Sequence, residues 1–268
     1  MSPEELIKTA LKFPYYWKVR GYKPDFNIQK TVHSIGDFGK DIEFEYCGDL
    51  YKNNSHGVRC DEFKKDHDKK HILFAGCSIT IGTGLAKEET WAHRVYEKIK
   101  NTEGASGYYN IGIPGGATSD IILSEIMKYC RQFGNPDVMF VMLPGTDREY
   151  RFLNSEKALK ESIFRYYLVL DQYCRSSGIK LYAFTWTQSI SKVSQWVHDD
   201  WMTYDFLYEN FDTFYKIDED KFKEEIYTYE KLNKDDKKSF LASDNDHPGN
   251  MWHFAWSNFI YRRYCEDN

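Results

Sequence analysis

The chain has 268 residues, of which 41% are hydrophobic, so it is long enough to bury a full core as one large domain or as one domain with an extension. Its net charge of -5 at pH 7 gives no general attraction to nucleic acid or to anionic membranes. The sequence therefore predicts neither a nucleic-acid partner nor a membrane partner.

The six cysteines are widely spaced, with no C-x-x-C pair and no cluster with histidine. This pattern indicates neither a disulfide framework nor a zinc site, so we expect free thiols in a reducing compartment. The first residues lack the apolar segment of a secretion signal, and no stretch approaches the roughly 18 apolar residues of a membrane span. We therefore expect a soluble, cytoplasmic protein that uses no metal and no other cofactor.

The beginning of the chain, residues 1–66, is predicted to be an extension of mixed helix and strand. Residues 4–13 carry apolar residues at helical spacing, and residues 41–51 alternate as a half-buried strand does. The charged run 60–70 has no apolar period, so it is expected to separate the extension from a domain that spans residues 67–268.

From residue 71 onward, short apolar runs alternate with helical patterns. The runs are 71–76, 107–112, 137–143 and 179–186, and the helical patterns lie around 91–99, 121–129 and 164–173. Alternating strands and helices predict a mainly parallel sheet covered on both faces, which is a three-layer α/β/α sandwich. Residues 190–240 are charged and aromatic, and they are predicted to form a helical insertion or lid.

Ser78 follows the run 71–76 by two residues, at the carboxyl end of a predicted parallel strand. Reactive groups gather at this edge of open α/β sheets, and the N–H groups of the following turn favour developing negative charge. Serines at strand ends are common, however, and the stretch is not G-x-S-x-G. Its position alone does not distinguish a nucleophile from an ordinary turn serine.

Asp244 and His247 are three residues apart in the stretch 243–253. In a tight turn this spacing lets the carboxylate face the imidazole and hold it as a base, whereas Asp246 is adjacent to the histidine and would point elsewhere. A solvated turn with a capping aspartate, before a helix that starts near Pro248, fits the same residues.

Gly115 and Gly116 lie between a predicted strand and a predicted helix. Without a Cβ atom, a backbone N–H there can approach a substrate oxygen, as an oxyanion hole requires. Ordinary turn glycines also occur at such positions.

Together the three stretches resemble the SGNH hydrolase superfamily, also called GDSL-type esterases and lipases, over about residues 71–265. The family's G-D-S, N-x-x-x-x-G and D-x-x-H-P blocks are matched by Gly76-Cys77-Ser78 with cysteine for aspartate, by Asn110 and Gly115, and by Asp244, His247 and Pro248. Upstream, residues 54–63 are similar to an N-x-x-G-x-R lead-in segment found in many members. The resemblance implies a flavodoxin-like α/β/α fold.

One block departs from the family pattern. The third block is normally G-x-N-D, and its asparagine donates a further hydrogen bond to the oxyanion; here the strand 137–143 is followed by P-G-T-D-R-E-Y, which aligns Asp147 with that asparagine. An ionised carboxylate donates nothing and repels an oxyanion. Three alternatives follow: a weakened activity, another donor such as Thr146 or Arg148, or a binding protein on a hydrolase scaffold.

The resemblance implies a serine esterase in which Ser78 is the nucleophile, His247 the base and Asp244 the residue that orients it. It assigns the oxyanion hole to the N–H groups of Ser78 and Gly115, with Asp147 at the third position. We expect a small-molecule or carbohydrate ester as substrate, with acetyl on carbohydrate favoured because no long apolar segment suits a lipid chain. The alternatives are acyl transfer to a sugar hydroxyl and a non-catalytic ligand-binding or structural role.

Overall fold

The fold is given by a computed structural model. It describes residues 41, 43–46, 48–64, 68–113, 117–145, 155–186, 204–244 and 247–268. The helix expected over residues 4–13 lies outside the described residues, as do Gly115 and Asp147. The boundary expected at residue 66 also falls outside them and stays a prediction.

The first described element is an antiparallel hairpin of β1 (Glu43–Tyr46) and β2 (Asp49–Lys52). The alternation within residues 41–51 therefore marks two short strands rather than one. In β2 burial alternates, so that Asp49 and Tyr51 share the buried face.

The centre of the fold is a parallel sheet formed by the four predicted apolar runs. Its strands are β3 (Ile72–Gly76), β4 (Tyr109–Asn110), β5 (Val138–Leu143) and β6 (Lys180–Thr185), in the order β4-β3-β5-β6. Every residue of β3 and β5 is buried, as expected for central strands covered on both faces. The prediction of a parallel α/β sheet is confirmed.

Seven α-helices lie in the described part of the chain. They are α1 (Ser78–Ile81), α2 (Trp91–Glu103), α3 (Ser119–Phe133), α4 (Glu156–Ser177), α5 (Asp205–Tyr208), α6 (Glu219–Leu232) and α7 (Asn250–Glu266). The helical patterns in the sequence correspond to α2, α3 and α4. The hydroxyls of Thr90 and Ser155 cap α2 and α4 by accepting from a backbone N–H three residues on.

The helices cover both faces of the sheet. On one face Phe74 and Phe140 meet Trp91 of α2 and Tyr264 of α7, and α6 packs on α7. On the other face α3 packs on α4, and Leu143 lies against both helices. The predicted three-layer α/β/α sandwich is confirmed, and it brings the carboxyl ends of β3, β4 and β5 to one edge.

The region 190–240 is described from residue 204 onward, and it is not wholly helical. It contains α5 and α6, but between them Phe214 forms a parallel bridge with Ala183 of β6, which adds a fifth position to the sheet. A single bridging residue does not need a continuous apolar run, so the sequence around Phe214 shows no pattern of a buried strand.

Gly76, the last residue of β3, leaves no space for a side chain. An added Cβ would lie 2.7 Å from the Met142 carbonyl oxygen on the neighbouring strand and closer still to the Thr80 hydroxyl. The backbone oxygen cannot retreat without breaking the ladder between β3 and β5. We predict that Gly76→Ala lowers the free energy of unfolding by about 3 kcal/mol or more.

Gly178→Ala is the matched control, because an added Cβ there meets no atom within 4 Å and only its left-handed conformation, with φ of +70°, is unfavourable. We expect it to cost about 1 to 2 kcal/mol. Urea unfolding of both variants measures the two losses, and an equal loss would contradict the packing argument.

Candidate active site

A single helical turn follows β3 and places Ser78 at the carboxyl edge of the sheet. Cys77 is buried in extended backbone, and α1 begins at Ser78. Gly82 ends the turn in the left-handed conformation, with φ of 77°, and its N–H donates to the Ser78 carbonyl oxygen at 3.0 Å. Thr83 N–H donates to the same oxygen at 3.1 Å, so the turn closes tightly behind the serine.

The Ser78 hydroxyl is buried and makes no hydrogen bond to the described residues. The residue is only 2% exposed, yet its Oγ has no hydrogen-bond partner among the residues that the structure describes. Leaving a buried hydroxyl unpaired costs about 1 to 3 kcal/mol, so an orphan of this kind requires an explanation. Ser78 N–H opens α1, where a backbone N–H has no partner within the helix.

The loop after β4 fixes the other side of this turn. Asn110 Nδ2 donates to the Thr80 carbonyl oxygen at 2.7 Å and to the Tyr108 hydroxyl at 2.6 Å, and its Oδ1 accepts from Gly112 N–H at 2.9 Å. Ile113 N–H donates to the Gly76 carbonyl oxygen at 2.9 Å. The amide of Asn110 therefore joins the second sequence block to the turn that carries Ser78.

Asp244 and His247 face each other, as their spacing predicts. His247 Nδ1 lies 2.6 Å from Asp244 Oδ2, and His247 N–H donates to Asp244 Oδ1 at 3.1 Å. The Asp244 side chain is 6% exposed and that of His247 19%. A bond from Ala242 N–H to the His247 carbonyl oxygen closes the loop. Asp244 is therefore more than a helix cap, because α7 begins at Asn250 and the carboxylate is turned to the imidazole.

This loop lies directly on the turn that follows Ser78. Ser243 N–H donates to the Gly84 carbonyl oxygen at 2.9 Å, and a Cβ on Gly84 would lie 2.9 Å from Asp244 Oδ1. No hydrogen bond joins His247 to the Ser78 hydroxyl among the described residues. Catalytic hydrogen bonds are often long in ligand-free enzymes and tighten when substrate binds.

His253, a buried histidine of α7, is not a candidate base. Its Nδ1 accepts from Trp91 N–H at 2.9 Å, at the start of α2, and burial lowers its pKa from 6.5 to about 3. The imidazole is therefore neutral at physiological pH and serves as an acceptor for the end of a helix. This leaves His247 as the candidate base of the site.

Gly115 and Asp147 lie outside the described residues. Ile113, beside Gly76, precedes Gly115 by two residues, and Gly145, the second residue after β5, precedes Asp147 by two. Their proposed roles thus remain predictions.

Neither a metal cluster nor a membrane-spanning helix is found in the described ranges. No group of three His, Cys, Asp or Glu side chains there is placed to hold a metal ion, and no helix there is long and apolar enough to cross a membrane. Five cysteines are described, and all are free thiols: Cys60, Cys77, Cys130, Cys174 and Cys265.

Sequence reasoning missed the contacts that the hairpin and the segment after it make with the site. Tyr51 and Arg59 both bond to the turn 81–85, and Asp49 accepts from the Ser243 hydroxyl at 3.0 Å. Arg59 is the last residue of the N-x-x-G-x-R segment, but that pattern by itself predicts no chemical role for it. No local pattern marks Tyr51 or Asp49, because their partners are far away in the chain.

Several solved structures are remotely similar to this chain, and two of them illustrate the likeness. The crystal structure of TesA has a TM-score of 0.43 and 13% identity, over 71% of this chain and 96% of that one. The psychrotrophic esterase EstA from Pseudoalteromonas sp., in a structure inhibited by monoethylphosphonate, has a TM-score of 0.46 and 15% identity, over 74% of this chain and 98% of that one. No family model and no curated protein matches the chain.

His253 gives a prediction about acid stability. Its pKa is about 3 in the folded protein and 6.5 ordinarily, so the unfolded chain binds a proton that the folded protein refuses between these values. The stability due to neutral His253 is complete above pH 6.5 and is lost as the pH falls toward 3, by up to about 1.4 kcal/mol per pH unit. We predict that His253→Gln flattens the loss of unfolding free energy between pH 6 and 4. Urea titrations at several pH values measure it, and equal slopes for the two proteins would contradict the assignment.

Proposed function

We propose that the protein is a serine esterase that hydrolyses a small acyl ester through an acyl-enzyme. The observation that carries this proposal is the buried, uncommitted Ser78 hydroxyl at the carboxyl edge of the sheet, beside a loop in which a carboxylate holds an imidazole at 2.6 Å. A serine hydroxyl is a weak nucleophile until a base removes its proton, and the base needs a partner that fixes its tautomer. The neighbouring loop supplies both groups.

In the proposed reaction, Ser78 Oγ attacks the ester carbonyl carbon while its proton passes to His247 Nε2. His247 Nδ1 keeps its proton, which it donates to Asp244, so the imidazolium forms beside a carboxylate. The tetrahedral intermediate collapses, and the alcohol leaves with the proton from His247. A water molecule then loses a proton to His247 and attacks the acyl-enzyme, which regenerates Ser78 and releases the acid.

The tetrahedral oxyanion needs donors aimed at it. We assign this role to the N–H of Ser78, at the start of α1, and to that of Gly115. Asp147 stands where the resemblance places a third, side-chain donor. The tight bond between Ile113 and Gly76 supports the assignment of Gly115, because it ties the chain to the Ser78 turn two residues earlier.

We propose a small acyl group, such as acetyl on a carbohydrate hydroxyl. The proposal rests on the sequence, in which no long apolar segment suits a lipid chain. A panel of p-nitrophenyl esters of increasing chain length, with an acetylated sugar beside them, tests the substrate class.

Labelling with a fluorophosphonate tests the nucleophile. We expect the probe to modify wild type at Ser78, and Ser78→Ala to abolish both labelling and turnover of p-nitrophenyl acetate, by at least about 1000-fold. His247→Ala should lose a similar factor, and Asp244→Ala less. The modified residue is identified by peptide mass mapping.

Ser257→Ala is the matched control, because it also removes a buried serine hydroxyl, one that donates to the Phe254 carbonyl oxygen within α7. We expect it to label and turn over as wild type does. Equal activity in wild type and Ser78→Ala would end the esterase proposal, and binding of an acetylated sugar without turnover would favour a ligand-binding protein.

Asp147→Asn tests the position that departs from the family pattern. Removing one oxyanion donor typically costs about 100- to 1000-fold in kcat, and an ionised carboxylate adds repulsion. We therefore predict that Asp147→Asn raises kcat on a small ester at neutral pH, and that the two pH profiles converge toward acid, where a protonated aspartate can also donate. A variant less active than wild type at every pH would show that Asp147 has another role.

A further inference from the structure

We propose that Tyr51 and Arg59 are positioning residues, which hold the turn 81–85 so that Ser78 and Asp244 stay in register. This inference rests on the proposed function, because it assigns the two residues to the same site. It follows from three independent sets of contacts that Asp49, Tyr51 and Arg59, in β2 and the segment after it, make with the two loops of the site.

The Tyr51 hydroxyl is bonded on both sides within the turn. It donates to the Gly82 carbonyl oxygen at 3.0 Å and accepts from Gly84 N–H at 2.7 Å. Burial raises the pKa of Tyr51 above its ordinary value of 10.0, so the phenol keeps the proton that it donates. One oxygen atom therefore links Gly82 to Gly84, the residues on either side of Thr83.

Gly84 passes this restraint on to Asp244. Its φ is +77°, and a Cβ there would lie 2.9 Å from both Asp244 Oδ1 and the Ala242 side chain. The carboxylate thus lies against a glycine whose N–H is held by Tyr51. A Cβ at this position would displace the Asp244 carboxylate, and with it the imidazole of His247 that the carboxylate holds.

Arg59 binds the same turn through backbone carbonyl oxygens of the turn. Its Nη1 donates to Ile81 O at 3.2 Å and to Gly82 O at 3.0 Å, and its Nη2 donates to Leu85 O at 2.8 Å. The guanidinium carbon lies 3.6 Å from the centre of the Tyr51 ring. A fork with several donors can bind three carbonyls at once, which an ammonium of similar charge cannot do from one place.

Asp49 joins the hairpin to the loop that carries Asp244 and His247, which we call the acid–base loop. It lies on the same buried face of β2 as Tyr51, accepts from the Ser243 hydroxyl at 3.0 Å and pairs with Lys238 at 2.6 Å. Ser243 is the residue before Asp244. The hairpin therefore contacts the nucleophile turn through one side chain and the acid–base loop through the next on the same face.

The test is Tyr51→Phe, which removes one oxygen atom and keeps the ring under Arg59. Displacement of catalytic groups by about 1 Å typically costs 100-fold, so we expect kcat for p-nitrophenyl acetate and the rate of fluorophosphonate labelling to fall about 10- to 100-fold. KM should change little, because neither residue is proposed to touch substrate. Arg59→Lys, which keeps the charge and loses the fork, should reduce kcat in the same way.

Tyr173→Phe is the matched control. Its hydroxyl is also committed, donating to Asn135 Oδ1 at 2.6 Å, but Asn135 precedes β5 and so lies at the opposite edge of the sheet. We expect Tyr173→Phe to lower the melting temperature about as much as Tyr51→Phe does while labelling at the wild-type rate. The activity loss of Tyr51→Phe is thereby separated from the loss of one buried hydrogen bond.

The outcomes distinguish this inference from the proposed function. If wild type labels at Ser78 and Tyr51→Phe labels at the same rate, the positioning role is wrong and the esterase proposal stands. If Tyr51→Phe and Tyr173→Phe lose activity equally, the effect is one of stability and the positioning role is again wrong. If the probe does not label wild type at Ser78, the esterase proposal is wrong, and the positioning role that rests on it is wrong as well.

Discussion

The contact between the Asp244 carboxylate and Gly84 is the constraint on which the rest of the site depends. It exists only because residue 84 has no Cβ atom and adopts a left-handed φ of +77°. Through it the acid–base loop rests on the turn that begins at Ser78, although Gly84 and Asp244 are 160 positions apart in the chain. The parallel sheet places Ser78 at one edge, and the loop with Asp244 is held beside it by this close approach and by the bond from Ser243 N–H to the Gly84 carbonyl oxygen.

Burying a charge at this turn is costly, and the protein offsets the cost locally. Arg59 is 2% exposed, and in the described part of the chain its guanidinium has no carboxylate ion pair. Three carbonyl oxygens and the Tyr51 ring surround it instead. Charged donors to neutral acceptors contribute more than neutral hydrogen bonds, and a cation over an aromatic face adds to this. These contacts restrain the turn that begins at Ser78.

Local sequence patterns predicted the layers of the fold and the pair within the acid–base loop. The apolar runs that become β3 and β5 are long and continuous, and Asp244 and His247 are close enough in sequence for their spacing to fix their geometry. Long-range contacts leave no such pattern. The spacing in residues 41–51 predicts a half-buried strand, but not that the Tyr51 hydroxyl meets Gly82 and Gly84. The parallel bridge of Phe214 was missed for the same reason, since its partner Ala183 is far away in the chain.

The most direct measurement is a crystal structure of the protein after reaction with a small phosphonate ester. Phosphorus bonded to Ser78 Oγ, with His247 Nε2 within hydrogen-bond distance of the adduct and a phosphonyl oxygen facing the Ser78 N–H, is the result expected of a nucleophile in a built site. An unmodified Ser78 under conditions in which the reagent is consumed, or phosphorus on another side chain, would contradict it.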